Sequence, residues 1–460
     1  METERSNLEE KTAHSNPRDL TTGRIGAKLI RFALPVIAAN LLQALYNLVD
    51  MAIVGHYNMA AGMSAVNLGG VITQIIFVIA VALTNGGSVV IGQLLGAKRQ
   101  EDAEKAAGTV FSMLLIIAVV LTGLTLLLRI PLLRAMNTTP AAFDGAVDYL
   151  TICACGTLVV YVYNANSAIL RAAGESVQPL IAVAVCAVLN LLLDLLFVGR
   201  FGMGPAGAAY ATVLAQLLSA ALTTVFVKRL GLIRFRADYF RIEKAFVKSM
   251  MKIALPNCAQ LVLVAISFAF TNSLINGFST EASAAAGAVS KLGNFAQLPP
   301  QAIMSALMAL TAQNLGADNI PNIRRGFRAG AGVGIGVTVV ICGVIWAIPG
   351  ALIGLMTPDP GVPAVGAAFF RWVALSYIFE SVLFVLYGVL MGAGYTNITL
   401  CCGVLSSLVL RYTLAWLFIR FTDWGFPGIG VAYALAALGA MLVALIFYLT
   451  GKWTKPRVRV

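Results

Sequence analysis

Residues 30–54 read IRFALPVIAANLLQALYNLVDMAIV, with one cation at the second place and one acid near the end. A helix needs roughly 20 mostly apolar residues to cross the hydrocarbon core of a bilayer, so this stretch predicts a membrane-spanning helix. Asp50 then lies inside it, as Asp194 lies inside the later apolar stretch 179–198. A carboxylate deep in a bilayer costs on the order of 3 kcal/mol. Its usual tasks are binding an ion, relaying a proton or holding a cationic substrate.

The rest of the chain has the same character. Of 460 residues, 59% are hydrophobic and only 11% charged, and the mean hydropathy is +0.86. Charged residues alone approach a quarter of a soluble domain. The sequence predicts about twelve spans, at 30–54, 63–85, 107–128, 148–170, 179–198, 205–227, 253–275, 285–312, 329–350, 370–391, 397–419 and 428–450. These runs are too long for barrel strands and lack a period of two, so helices are expected. The first thirty residues carry Glu2, Glu4, Arg5, Glu9, Glu10, Lys11, Arg18 and Asp19, a polar tail and not a signal peptide.

Lys and Arg placement sets the orientation. Twenty-five fall in the tails and one alternate set of connections, including eight between Lys228 and Lys252 and three at Arg324, Arg325 and Arg328. The opposite connections hold Arg129, Arg134, Arg200, Arg371 and Arg420. The richer side is expected to face the cytoplasm of a plasma-membrane protein, with both termini inside. The net charge of +12 is thus a topology signal and implies no nucleic-acid partner. Seven cysteines (Cys153, Cys155, Cys186, Cys258, Cys342, Cys401, Cys402) fall in or beside spans, an odd count that argues against a disulfide framework.

The chain is written twice. Phe32-Ala33-Leu34-Pro35 recurs as Ile253-Ala254-Leu255-Pro256, 221 residues on. Gln93-Leu94-Leu95-Gly96-Ala97 recurs as Gln313-Asn314-Leu315-Gly316-Ala317, and Ala173-Gly174 as Ala393-Gly394, both 220 on. Ala209-Tyr210-Ala211 recurs as Ala432-Tyr433-Ala434. Six spans per half is an even number, so the halves are parallel repeats, a device of transporters that rock about a central cleft. The expected architecture is an all-α integral membrane protein of two six-helix lobes. Its parts are a cytoplasmic polar tail (1–27), an N-lobe (28–227), a basic interlobe linker (228–252), a C-lobe (253–450) and a basic tail (451–460). The linker segment 241–252 serves either as an amphipathic stretch on an anionic leaflet or as a solvated tether.

Polar stripes inside the spans mark the candidate site. Asn40, Gln43, Asn47 and Asp50 are spaced three, four and three, one helical face, with Tyr46 beside it. Asn190 and Asp194 are one turn apart, as are Thr212 and Gln216; Tyr163 and Asn164 lie mid-span. Two carboxylates with amide and hydroxyl oxygens either cage a hard cation such as Na+ or carry a proton; a structural network holding helices together is the plainer alternative. The acids break the repeat, since Asp50 maps onto Thr271 and Glu380 onto Val160. Glu380 shares a face with Tyr377, Phe384, Tyr387 and Met391, either a seat for an organic cation or plain packing. Arg411, deep in its span, needs a partner, and Glu380 is the candidate. Pro35, Pro299 and Pro300 interrupt spans and mark places where a helix bends or does nothing more.

Leu48-Val49-Asp50-Met51, Gln93-Leu94-Leu95-Gly96-Ala97-Lys98, Leu170-Arg171 with Gly174, and Asn190 four before Asp194 resemble the multidrug and toxic compound extrusion (MATE) transporters of prokaryotes, in order over about residues 25–450. The resemblance implies a twelve-helix, two-lobed antiporter exporting cationic amphiphilic molecules against H+ or Na+, without a further cofactor. It implies that Asp50, Asn190, Asp194 and Thr212 form the cation site, that Asn164 matches the family's span-four asparagine, and that Glu380 matches its span-ten acid. Na+ would sit at Asp50, Asp194 and Asn190; Gln43, Asn47, Tyr46, Tyr377 and Tyr387 would face substrate. One departure is Val264, which stands where many members carry a Glu eight residues past the span-seven proline.

The alternative from the wider superfamily is a lipid-linked oligosaccharide flippase, for which more basic residues in the cleft are expected. An enzyme is not expected, because the only histidines are His14 and His56. A monomer in contact with membrane lipid is the default assembly.

Overall fold

The computed structural model describes residues 18–232 and 237–455. Most of the polar tail, residues 233–236 of the connecting stretch and the last five residues lie outside the described residues. The α-helices of nine residues or more are α1 (Ile25–Gly96), α2 (Gln100–Ala135), α3 (Pro140–Ala172), α4 (Val177–Asp194), α5 (Gly204–Arg229), α6 (Lys244–Ile275), α7 (Thr280–Gly316), α8 (Ile320–Ala347), α9 (Gly361–Gly392), α10 (Thr396–Val404), α11 (Tyr412–Phe421) and α12 (Gly425–Leu449). α1 contains two spans, Ile25–Tyr57 and Gly62–Gly96. A π-helical turn at Leu195–Arg200 extends α4, and another at Leu405–Arg411 joins α10 to α11.

Eleven helices among the described residues are long and apolar enough to cross a membrane. The twelfth expected span is α7, which has the length at 37 residues but is more polar, with Lys291, Asn294, Gln297, Gln301, Gln313 and Asn314 along it. Much of its surface is buried in its own unit, so it need not be apolar all round.

The repeated sequence is repeated in backbone geometry. Gln93–Ala97 and Gln313–Ala317 each close a helix and hand over to a left-handed residue, Lys98 at φ 59° and Asp318 at φ 53°. Arg99 N–H then donates back to the Leu94 carbonyl, and Asn319 N–H to Asn314. Gly174 and Gly394 take φ values of 79° and 83° after α3 and α9. There the next N–H donates to a carbonyl five residues back, Glu175 to Leu170 at 2.9 Å and Tyr395 to Leu390 at 2.8 Å. This helix-ending turn favours glycine because other residues resist positive φ.

The chain divides into two compact units. One is Ala38–Met251; the other joins the described parts of Met1–Ile37 and Lys252–Arg459. Residues 28–37, read from sequence with the first lobe, therefore pack with the second. The reason is apolar burial and backbone satisfaction: Ile25, Leu29, Phe32 and Ala33 share a core with Ile303, Ala306, Leu307, Leu310 and Val385. Ahead of them, Leu20 N–H donates to Gln313 Oε1 (3.0 Å), and Asn314 Nδ2 donates to the Leu20 carbonyl (2.9 Å). Asn322 Nδ2 donates to the Thr21 carbonyl (2.7 Å). Burial pushes the Asp19 carboxyl up, but hydrogen bonds from Thr21 and Thr22 and the nearby Lys28 outweigh it and hold the group below its usual value.

Residues 228–251, read as part of the linker, belong to the first unit. Ser112 donates to the Phe240 carbonyl (2.7 Å), Thr109 to the Arg241 carbonyl (3.2 Å), and Phe111 meets Phe240 edge-on at 5.9 Å. Gly108 leaves room for the Tyr239 carbonyl, 1.9 Å from where a Cβ would stand. From Lys244 the chain is already helical, so the second half of the predicted linker is the opening of α6.

Small residues let helices approach. In the second unit, Cβ atoms at Gly388 and Gly392 of α9 would stand 2.7 and 2.6 Å from the Met304 and Met308 carbonyls of α7. In the first unit, Gly156 of α3 admits Val213 of α5, whose methyl would meet a Cβ at 2.5 Å.

Candidate functional site

In the first unit, the polar face of α1 meets the end of α4 and the first half of α5. Asp50 and Asp194 come within hydrogen-bonding contact of each other. Asp194 is 1% exposed and Asn190, one turn before it, is also 1% exposed. One carboxyl oxygen of Asp50 is buried with no hydrogen-bond partner. Asn190 Nδ2 donates to Thr212 Oγ1 at 3.5 Å, and the Tyr46 and Thr212 hydroxyls meet at 3.4 Å. Asp50, Asp194, Asn190, Thr212 and Tyr46 thus form one cluster. The π-helical turn begins at the residue after Asp194, and such turns often occur at functional positions in helices.

Further along α1, α4 and α5, Gln43, Tyr46, Val183, Cys186, Ala187, Gln216 and Ser219, with Tyr163 of α3, line a cavity of about 20 Å3, room for about one water. The sequence reading named Gln43, Tyr46, Tyr163 and Gln216 but missed Cys186 and Ser219. Both carry a signal: Cys186, Asn190 and Asp194 are spaced four and four, and Ser219 is three past Gln216. Two predicted residues are placed apart from the cluster. Asn164 is buried and donates to the Val160 carbonyl of its own helix at 2.8 Å. Asn47 is exposed, although it belongs to the stripe by spacing.

The second unit carries the other two charged candidates, Glu380 and Arg411. Glu380 on α9 is half-buried and accepts from Gln297 Nε2 of α7 at 2.8 Å. Arg411 is 6% exposed, its guanidinium 4.4 Å from the Tyr433 ring centre and 5.0 Å from that of Phe268. No ion pair joins Arg411 to Glu380; its Nε and Nη1 lack hydrogen-bond partners, and the rings hold it instead. The Arg411 charge nonetheless acts on Glu380 across that gap. Tyr377 belongs to the apolar core of this unit, its hydroxyl over Gly293, and Tyr387 is buried with its ring edge-on to Phe384 at 6.4 Å. Pro35, Pro299 and Pro300 all lie inside helices that continue through them.

The MatE family description matches residues 35–196 and again 256–417. The two matches are 221 residues apart and fall on the repeat read from sequence. The chain belongs to the multidrug and toxic compound extrusion (MATE) family of transporters. It is similar to a Bacillus subtilis protein named probable multidrug resistance protein YpnP, with 29% identity over 95% of this chain and 97% of that one. A Thermotoga maritima protein named probable multidrug resistance protein NorM is 24% identical over 94% of each. Among solved structures, a MATE protein in a bent conformation superposes with a TM-score of 0.89 at 21% identity, covering 95% of this chain and 97% of that chain, which shows the fold.

Proposed function

We propose that this protein is a cation-coupled efflux antiporter of the plasma membrane, exporting organic cations in exchange for H+ or Na+ by alternating access. The observation that carries the reading is the contact between Asp50 and Asp194 in the interior of the first unit. Ionised carboxylates only accept hydrogen bonds, so contact between two of them calls for a proton or a cation between their oxygens. Asn190 and Thr212 add neutral oxygens suited to a small hard ion. Binding there favours one of two states of the transporter, and only differential affinity of that kind couples ion to substrate.

Substrate in this reading is a cationic amphiphile. Support comes from relatives named for multidrug resistance and from Glu380, half-buried with Phe384 and Tyr387 on its face. The basic connections face the cytoplasm with both termini, and the protein works as a monomer. The flippase alternative is not favoured by the family match or by the named relatives.

Reconstituted protein, loaded with a fluorescent organic cation, is expected to move it under an imposed pH gradient or an imposed Na+ gradient, each applied alone. Asp194→Asn is expected to abolish that response. Equal coupled transport by the parent and Asp194→Asn would refute the reading.

A further inference from the structure

α8 opens on Pro321 and carries Arg324, Arg325 and Arg328 in its first turns. These three side chains, with Ile320 and Pro321, line an open pocket of about 410 Å3. All three arginines are exposed. None of the three is paired with a carboxylate among the described residues, unlike Arg99 with Asp102 and Lys105 with Glu101. Three like charges within five residues of one helix repel each other. An anion held between them relieves that repulsion. Guanidinium presents a planar fork of donors that matches phosphate oxygens two at a time, which lysine does not.

The pocket has a fixed aromatic neighbour. Phe327 stacks on Tyr448 at 4.4 Å and 22°, and Tyr448 stacks on Trp453 at 5.1 Å and 6°. The Tyr448 phenol lies in the field of Arg324 and Arg328. Tyr395 donates to the carbonyls of Lys452 and Lys455, which anchors two more cations at this end of the unit. Tyr and Trp beside Lys and Arg at a span's end mark the headgroup level of a bilayer.

Past Arg328 the helix carries no charge to its end at Ala347. Val333, Val337, Val340 and Val344 are exposed along it. Between them Gly332, Gly336 and Gly343 meet nothing within 4 Å. An apolar, shallow-floored face thus runs from the arginines into the depth of the membrane.

We propose that this pocket binds the phosphate of an anionic phospholipid of the cytoplasmic leaflet, with the acyl chain laid along the valine–glycine face of α8. Continuity of the basic pocket with an exposed apolar face selects a membrane lipid over free phosphate, which has no use for that face. Basic pockets on the cytoplasmic side of spans are suited to such headgroups. The inference rests on the charge-based orientation and not on the transport reading.

The test uses purified full-length protein in detergent, titrated with phosphatidylglycerol or phosphatidylcholine and read by native mass spectrometry. The parent is expected to prefer phosphatidylglycerol by about tenfold, a gap of one well-made charged contact. Arg324→Gln/Arg325→Gln/Arg328→Gln is expected to lose that preference. Arg324→Lys/Arg325→Lys/Arg328→Lys, which keeps the charge without the fork, is expected to lose part of it, and serves if the glutamine variant fails to fold. Lys244→Gln/Lys248→Gln, which removes exposed cations of α6, is expected to keep it. The proposal is overturned if the lysine or glutamine variant retains the full preference, or if the α6 variant loses as much. It is equally overturned if millimolar inorganic phosphate binds the parent as the lipid does.

Discussion

The two units carry charge inside the membrane in opposite ways. In the first, two acids from α1 and α4 meet, and one Asp50 oxygen is buried without a partner. In the second, the acid and the cation stand apart: Gln297 satisfies Glu380, while Phe268 and Tyr433 enclose Arg411. The counterpart of Asp50 in the repeat is Thr271, whose hydroxyl donates to the Ser267 carbonyl at 2.9 Å. One unit therefore concentrates negative charge; the other keeps one acid and one cation apart, each held by neutral partners. In the reading proposed above, the duplicated frame serves two electrostatic tasks, ion coupling in the first unit and substrate contact in the second.

The largest effect should follow from disturbing the acid cluster. Asp194→Asn, or Asp50→Asn, is expected to cut gradient-driven transport by about two orders of magnitude, the upper range of coupling energies between sites. Substrate binding measured without a gradient should change far less. Loss of binding with coupling intact would reverse the assignment of tasks.

Glu380→Gln should act the other way. It is expected to weaken binding of a cationic substrate about tenfold, as removal of one charge attraction in a partly desolvated site does. Ion binding should persist, and fluorescence titration beside an ion-binding assay separates the two.

Arg411→Met sharpens the contrast further. A buried guanidinium with unpaired donors is expensive, and its replacement by an apolar side chain is often neutral or stabilising. The lost ring contacts work against this by about 1–2 kcal/mol. Thermal stability is expected to stay within a few degrees of the parent, with transport retained. A collapse of stability would mean that Arg411 has an ionic partner after all.

The smallest effect concerns Asp19 in the docked N-terminal segment. Its carboxyl is held below the usual carboxylate range, so it contributes stability above that range and loses the contribution as pH falls through the folded-state value. The group is only part-buried, so after discounting for screening the expected contribution is below about 1 kcal/mol. Asp19→Asn and the parent should differ slightly in melting temperature at pH 7 and converge in strong acid, once the carboxyl is protonated in both states.

Much of this was readable in the chain because the signals are local. A span of apolar residues, the spacing of Gln43, Tyr46 and Asp50, and the Gly174 and Gly394 turns each follow from nearest-neighbour geometry along a helix. The π-helical turn after Asp194 was not readable, since nothing in Leu195–Arg200 departs from an ordinary apolar helix. The partners of Arg411 were also hidden: Phe268 and Tyr433 lie in other spans, and packing alone brings them to the guanidinium. Proximity in sequence pointed to Glu380, which proved too distant for an ion pair. Likewise the first turns of α1 looked like the beginning of the first lobe, but their apolar face found its core in Ile303, Leu307 and Leu310.

The central claim is that Asp50 and Asp194 hold the coupling ion. Its most direct test is the number of ions released when a saturating organic cation is added to purified protein in weak buffer, followed by a pH indicator and by a Na+-sensitive electrode. The account predicts about one H+ or Na+ released per substrate bound by the parent and none by Asp50→Asn/Asp194→Asn. Release by that double variant at the parent's stoichiometry would contradict it.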